Sequence, residues 1–264
     1  MKISARAVFV SVVLCLALTA ATDANHSWAR YHWARTANPF FLDAGDNVTS
    51  IWDSYLTAAI GDWNHSSVVR LQKVPGGTSN SVCKPTAGRI EVCNAAYGTN
   101  GWLGIAQIWA TRNHITQALT KVNDTYFNTA TYNTTAWRQM VMCQELAHDF
   151  GLDHQDERFT NPNLGSCMDY TNNPAGPPSN VSPNAHDFEQ LEKIYAHLDS
   201  TTTIGLSAQG MASGNLNHPS AWGQLVRSHA AGRVQVFERN LGRGQKLITH
   251  VFWADPEHDH HGGH

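Results

Sequence analysis

The chain has 264 residues, and its 18 Lys and Arg against 21 Asp and Glu leave a formal net charge of −3 at neutral pH. Apolar residues make up 42% and charged residues 15%, a balance that supports a folded core and excludes a disordered chain. No stretch has the density of basic residues that nucleic-acid binding requires, so DNA and RNA are not expected as partners.

The first 24 residues are typical of a secretory signal. Lys2 and Arg6 precede an apolar run from Val8 to Leu18, and small residues follow as far as Ala24. The run is too short to span a bilayer, and no later segment reaches 18 apolar residues. We therefore predict a signal peptide over residues 1–24 and a secreted protein without membrane contact after its removal. The alternative is a buried N-terminal helix.

A strand, a helix and then a series of strands are predicted for the first half of the mature chain. Apolar residues recur at helical spacing from Ile51 to Trp63, after capping residues at Thr49 and Ser50. The strands are predicted from alternation and β-rich composition, over residues 31–35, 68–74, 89–94, 102–111 and 114–122. These elements indicate an α+β fold.

Helices and irregular chain follow. A second long helix is predicted over 135–150, and Gly151 is placed to end it with a left-handed cap. Residues 161–183 are rich in Asn, Pro, Gly and Ser, which predicts an irregular stretch. A third helix is predicted over 187–198, before a small polar linker at 200–217.

The C-terminal part is predicted to be β-rich. Strand-like runs at 233–237 and 247–253 are joined through a glycine-rich turn. We therefore divide the mature chain into a main domain over 25–205 and an extension over 206–264. The extension ends in the histidine-rich tail 259–264, which is either a solvated end or a loose metal-binding tract.

Four cysteines remain after removal of the signal peptide: Cys83, Cys93, Cys143 and Cys167. An even number in an exported protein indicates two disulfides, for which three pairings are open. A zinc site formed by all four is the rival interpretation, but the chain has no CxxC pair.

One short segment concentrates the residues that carry chemistry. Gln144 and His148 are four residues apart and share one helix face, and Glu145 lies beside them. A turn at Gly151 would bring His154 back to the same point. Three such ligands would leave the fourth position of a tetrahedral zinc ion for water, from which Glu145 could take a proton.

Residues 144–154 resemble the HExxHxxGxxH signature of the metzincin metallopeptidases, with Gln144 in place of the first histidine. The segment from Ser166 to Tyr170 is similar to the Met-turn that follows this signature. Its Met-x-Tyr sequence is similar to that of astacins and serralysins, and Met-Asp-Tyr to that of pappalysins. The resemblance covers roughly residues 28–200.

The resemblance implies a metzincin-like α+β fold. A mixed twisted sheet would carry an active-site helix and a backing helix, above an irregular lower subdomain with the Met-turn and a C-terminal helix. The family fold places the active-site helix over the Met-turn, so the resemblance favours a Cys143–Cys167 disulfide. The short Cys83–Cys93 loop is then the second.

The implied function is that of a secreted, monomeric, zinc-dependent endopeptidase acting on protein or peptide substrates. Glu145 would be the general base, and Tyr170 would ligate zinc or stabilise the oxyanion. Met168 would form the floor beneath the metal. Gly104, Ile105 and Ala106 would form an edge strand that binds substrate by strand addition.

Gln144 leaves three interpretations open. Its side-chain oxygen ligates zinc together with His148 and His154, although an amide oxygen is a weaker donor for zinc than imidazole. Alternatively, two histidines, Tyr170 and water hold the metal. In the third interpretation the metal is lost, and the chain is a catalytically weak or inactive binding protein on a metzincin scaffold.

Overall fold

The computed structural model describes residues 27, 30–206, 215–229 and 232–255. The predicted signal peptide and histidine-rich tail, together with residues 207–214 of the predicted linker, lie outside these ranges. Within the described ranges, no helix is both long and apolar enough to cross a membrane.

One mixed sheet of nine strands organises the fold. The strands are β1 (His32–Trp33), β2 (Phe40–Asn47), β3 (Val69–Pro75), β4 (Ile90–Ala95), β5 (Trp102–Thr111), β6 (His114–Asn123), β7 (Gln224–His229), β8 (Val234–Gly242) and β9 (Gln245–Trp253). Their order is β3-β2-β4-β6-β5-β9-β8-β7, and β1 pairs with β6. Pairs among β1, β2, β3, β4 and β6 are parallel, whereas β5, β7, β8 and β9 pair antiparallel with their neighbours.

Few helices accompany this sheet, in agreement with the predicted α+β class. They are α1 (Ser50–Trp63), α2 (Asp124–Phe127), α3 (Thr135–His148) and α4 (Ala185–Ile194). Helices α1 and α3 pack together, and α3 also contacts β5 and β6. The fully buried Trp63 fixes the pair, because its Nε1 donates to the carbonyl of Cys143 at 3.1 Å.

Helix α3 has clear local causes for both of its ends. The side chain of Thr134 accepts a hydrogen bond from the backbone N–H of Trp137 and caps the helix. Beyond the other end, Gly151 has a φ of 98°, as predicted. A Cβ at this position would lie 2.3 Å from the carbonyl oxygen of Tyr31, so only glycine fits. The turn directs the chain back towards the helix end.

Both predicted disulfides are confirmed, Cys83–Cys93 and Cys143–Cys167. The second joins α3 to the irregular segment 166–170, which is called the Met-turn below for its sequence alone. Helix α4 begins two residues before the predicted start, because Asn184 and Asp187 form a capping box. It ends at Ile194, four residues before the predicted end.

Strand β2 was not predicted. The C-terminal strands were predicted without a partner, and in the structure they extend the main sheet beyond β5. Strand β9 pairs with β5 from Trp102↔Trp253 to Thr111↔Gln245 and with β8 on its other side. Strand β5 therefore has a partner on both edges. The prediction that Gly104, Ile105 and Ala106 present a free edge is wrong for this structure, because β9 already occupies their hydrogen-bonding groups.

Candidate metal centre

The end of α3 brings two predicted ligands together. His148 lies in the last turn of the helix, and the turn at Gly151 returns His154 to it. Their Nε2 atoms are 2.9 Å apart, and both side chains are buried. The structure thus brings these two imidazoles to one point, as the spacing of the signature predicts.

Hydrogen bonds on the far side of each ring orient the two imidazoles. The Nδ1 of His148 lies 2.7 Å from the carbonyl oxygen of Leu152. The Nδ1 of His154 lies 3.3 Å from Oε1 of Glu157 and 3.4 Å from Oδ1 of Asp153. A proton on Nδ1 satisfies these acceptors and leaves the Nε2 lone pair facing inwards, which is the usual arrangement for metal-ligating histidine.

A third imidazole, that of His250, completes the group, and sequence reasoning did not identify it. Its ring stacks on that of His148 with centroids 4.1 Å apart and lies 5.3 Å from that of His154. One nitrogen from each ring lies within 4.8 Å of the other two. We call His148, His154 and His250 the interior histidine cluster.

The sheet explains how a residue so distant in sequence reaches α3. His250 on β9 pairs with Ala106 on β5, which in turn pairs with Thr120 on β6. Side chains of directly paired residues point to the same face of a sheet. That face lies beneath the end of α3, because the Thr120 hydroxyl donates to Oδ2 of Asp149 at 2.7 Å. The small Ala106 side chain leaves room for the imidazole.

Gln144 is held by the Met-turn. Its Nε2 donates to the carbonyl of Cys167 at 2.8 Å, and its buried Oε1 has no hydrogen-bond partner among the described residues. The amide therefore links α3 to the segment that the Cys143–Cys167 disulfide also fixes. Whether its oxygen contacts a metal stays a prediction.

Glu145 is buried beside the cluster and against β5. A Cβ at Gly104 would lie 2.7 Å from its Cγ and 2.8 Å from its Oε1, so the absence of a side chain at Gly104 makes space for this carboxyl group. Its Oε2 is buried and has no hydrogen-bond partner within the described chain. Burial, followed by the nearby Asp149 carboxylate, raises the pKa of Glu145 well above its ordinary value.

The Met-turn residues lie at the same place. Met168 and Tyr170 are buried, and the Tyr170 ring centroid is 4.4 Å from that of His154. Backbone hydrogen bonds tie the turn to the chain after His154, from Gln155 N to Met168 O at 2.6 Å and from Tyr170 N to Asp156 O at 3.0 Å. The structure thus brings both residues to the site, and their predicted roles stay predictions.

Charged groups surround the cluster on one side. Arg227 on β7 forms a bidentate contact with Asp153 and lies 3.6 Å from Oε1 of Glu157. Burial, followed by the neighbouring imidazole of His154, lowers the pKa of His148 well below its ordinary value. Burial lowers the pKa of His250 in the same way. Both rings are therefore neutral near pH 7, the form that binds a metal.

These residues form a possible metal-binding group. Two neutral imidazoles whose Nε2 lone pairs face each other at 2.9 Å repel unless a cation or a proton lies between them. Ligand bonds of about 2.0–2.1 Å in a tetrahedral zinc site separate two nitrogens by about 3.3 Å, so a small expansion accommodates the ion. The partnerless Gln144 Oε1 and Glu145 Oε2 are further polar atoms for which a bound cation or its water provides a partner.

Comparison with models of known protein families and with curated proteins finds no match to this chain. The interpretation of the site therefore depends on its geometry and on the motif resemblance.

Proposed function

We propose that the chain binds one zinc ion through His148, His154 and His250 and hydrolyses peptide bonds with Glu145 as the general base. The observation that carries this proposal is the convergence of three buried imidazoles, two of them oriented by hydrogen bonds, with the buried Glu145 about one turn before His148 on α3. In this proposal His250 takes the position that the first histidine of the metzincin signature would fill. Gln144 then supports the site through its hydrogen bond to Cys167.

Each residue has a defined part in the proposed reaction. A bound zinc ion lowers the pKa of a water molecule and polarises the substrate carbonyl. The three imidazoles are neutral ligands and keep the net charge of the ion. Glu145 Oε2 accepts the proton of the attacking water and returns it to the leaving amine. Tyr170, whose ring is 4.4 Å from that of His154, is proposed to donate a hydrogen bond to the developing oxyanion.

The metzincin-like fold is likewise a proposal. It is supported by the helix that ends at Gly151, by Met168 and Tyr170 beside the histidines, and by the disulfide between α3 and the Met-turn. Two disulfides are typical of an oxidising compartment, which supports the proposed secretion. We further propose that the protein acts as a monomer on protein or peptide substrates.

The proposed site is enclosed in the described conformation. Glu145 and His148 are each only 1% exposed, so a peptide reaches them only after a change of conformation. Because His250 lies on β9, which pairs with β5, the proposal requires these two strands to stay together during that change.

A peptidase assay on the zinc-loaded full chain tests the proposal. We expect chelator-sensitive cleavage of a fluorogenic peptide mixture, and we expect Glu145→Gln to reduce kcat by at least about 100-fold while zinc stays bound. Glu189→Gln, a change at an exposed glutamate on α4, is the matched control and should keep full activity. Equal rates for Glu145→Gln and the native chain would remove Glu145 from the mechanism.

The burial of the site also supports a second candidate function. A non-catalytic metal-binding protein needs no substrate cleft, and the covered β5 and the enclosed Glu145 suit it. This candidate predicts zinc binding through the interior histidine cluster with no cleavage of the peptide mixture.

A further inference from the structure

A second group of histidines lies where β1 meets β6. His32 on β1 pairs with His114 on β6, and their rings are 5.0 Å apart in an edge-to-face arrangement. The chain that leaves α4 adds His197, whose ring is 4.8 Å from that of His32, and Asp199. We call these four residues the surface histidine cluster.

One carboxylate oxygen is the common point of this cluster. Oδ1 of Asp199 lies 3.5 Å from Nε2 of His32 and 3.3 Å from Nε2 of His114. It lies 3.6 Å from Nε2 of His197. These separations are longer than the 2.7–2.9 Å usual for a charge-assisted hydrogen bond. They match the roughly 3.3 Å between two ligand atoms of a tetrahedral zinc ion.

The surrounding contacts orient the donors. His32 Nδ1 lies 2.8 Å from the carbonyl oxygen of Arg30, which leaves its Nε2 directed at Asp199. Arg35 binds the other oxygen of Asp199, with Nη1 donating at 2.9 Å and its backbone N–H at 3.2 Å. This arrangement fixes the carboxylate and turns Oδ1 towards the imidazoles.

Burial is graded across the cluster. The side chains of His32 and Asp199 are 6% and 9% exposed, whereas those of His114 and His197 are 39% and 57% exposed. A cavity of about 580 Å³, lined in part by His32, His197 and Lys193, opens beside it. Two ligands are thus preformed within the fold, while two can adjust from the surface, and an ion can enter from solvent.

We propose that His32, His114 and Asp199 form a second, structural binding site for zinc or a divalent cation of similar preference, since one ligand atom from each lies within 4.8 Å of the other two. His197, whose Nε2 is 3.6 Å from Asp199 Oδ1, can complete a tetrahedral donor set by moving in from the surface. The site joins β1 and β6 to the chain after α4, which already bonds to the residues that follow β1, from Asp199 N to Arg35 O and from Thr203 N to Ala34 O.

Zinc stoichiometry tests this site independently of the proposed catalytic function. The measurements use full-length protein in which His258, His260, His261 and His264 are changed to Ala, so that histidines of the tail cannot contribute to the zinc count. After exhaustive dialysis, we expect two zinc ions per chain. His114→Ala with His197→Ala should retain one, and His65→Ala, at an exposed histidine outside both clusters, should retain two. Both substituted cluster histidines are partly exposed, so the variant is expected to fold.

Thermal unfolding provides a second readout. In a His148→Ala background, which removes a ligand from the interior histidine cluster, excess zinc should still raise the Tm by about 5 °C. Adding His114→Ala and His197→Ala should abolish that shift. Unchanged zinc content and an unchanged Tm shift in these variants would overturn the proposal and leave only ion pairs with Asp199. The tail-substituted chain with an intact interior histidine cluster can also bind only one zinc ion. If His114→Ala with His197→Ala removes that ion, the surface site is supported and the interior site is rejected.

Discussion

The interior and surface histidine clusters differ in how the fold holds them. In the interior cluster, all three imidazoles are buried; His148 and His250 lie on α3 and β9, and carbonyl or carboxylate groups orient His148 and His154. The surface cluster joins β1 and β6 to the chain that follows α4, and two of its four side chains, those of His114 and His197, are exposed. The difference matches the two proposed roles. Catalysis at the interior cluster would need rigid surroundings that exclude water and a base nearby. A structural ion at the surface cluster could bind to side chains that move to meet it.

The largest difference between the clusters should follow from loss of an interior ligand. His148→Ala removes both a donor and the ring stacked on His250, so we expect interior zinc affinity to fall by well over 100-fold, beyond the 10–100-fold typical of outer-shell changes. Competition with a fluorescent chelator measures this loss. His65→Ala is the control, and a variant that keeps tight interior binding would contradict the ligand assignment.

The two disulfides offer a matched pair of changes. Cys143→Ser with Cys167→Ser should lower the free energy of unfolding by about 2–5 kcal/mol and also weaken interior zinc binding, because that disulfide joins α3 to the Met-turn. Cys83→Ser with Cys93→Ser should cost a similar free energy without changing interior zinc affinity. Denaturant unfolding and zinc titration separate the two effects. Equal zinc affinities in the two double variants would show that the Met-turn does not support the metal site.

Gly104→Ala should act on catalysis more than on metal binding. The added methyl group would meet Cγ of Glu145 and a methyl group of Val141, each at 2.7 Å, and overpacking of this kind costs about 1–3 kcal/mol. We expect kcat to fall because the carboxyl group is displaced, while zinc content is unchanged. Gly61→Ala, where nothing lies within 4 Å of the added atom, is the control. Unchanged kcat would mean that the position of Glu145 against β5 is not required.

The smallest expected effect concerns Gln144. Gln144→Leu removes the hydrogen bond to Cys167, which should cost about 1 kcal/mol of stability and at most about tenfold in zinc affinity. His250→Ala should lower affinity much more. Zinc titration of both variants compares the two residues directly. A larger loss of zinc affinity for Gln144→Leu than for His250→Ala would favour Gln144 as the ligand.

Local patterns predicted those parts of the site that lie close together in sequence. Helical spacing and Gly151 were sufficient for the convergence of His148 and His154, whereas the Cys143–Cys167 pairing was predicted from the family resemblance. His250 was not predictable, because its position depends on the register of β9 against β5, more than 130 residues earlier in the chain. Long-range pairing of this kind leaves no local signal.

The same limit applies to the fold. The β2 sequence Phe-Phe-Leu-Asp-Ala-Gly-Asp-Asn ends in residues typical of turns, yet it pairs with β3 on one side and β4 on the other. Pairing and burial outweigh local propensity there. The covered edge of β5 has a related cause, since the alternation of residues 247–253 predicted a strand but not its partner.

The most direct test of the central claim is anomalous diffraction at the zinc absorption edge from crystals of the full chain. We predict a peak about 2.0–2.1 Å from one nitrogen each of His148, His154 and His250, with Gln144 still bonded to the carbonyl of Cys167. A peak ligated by the side-chain oxygen of Gln144 with His250 turned away, or no peak at this position in zinc-loaded crystals, would contradict the account.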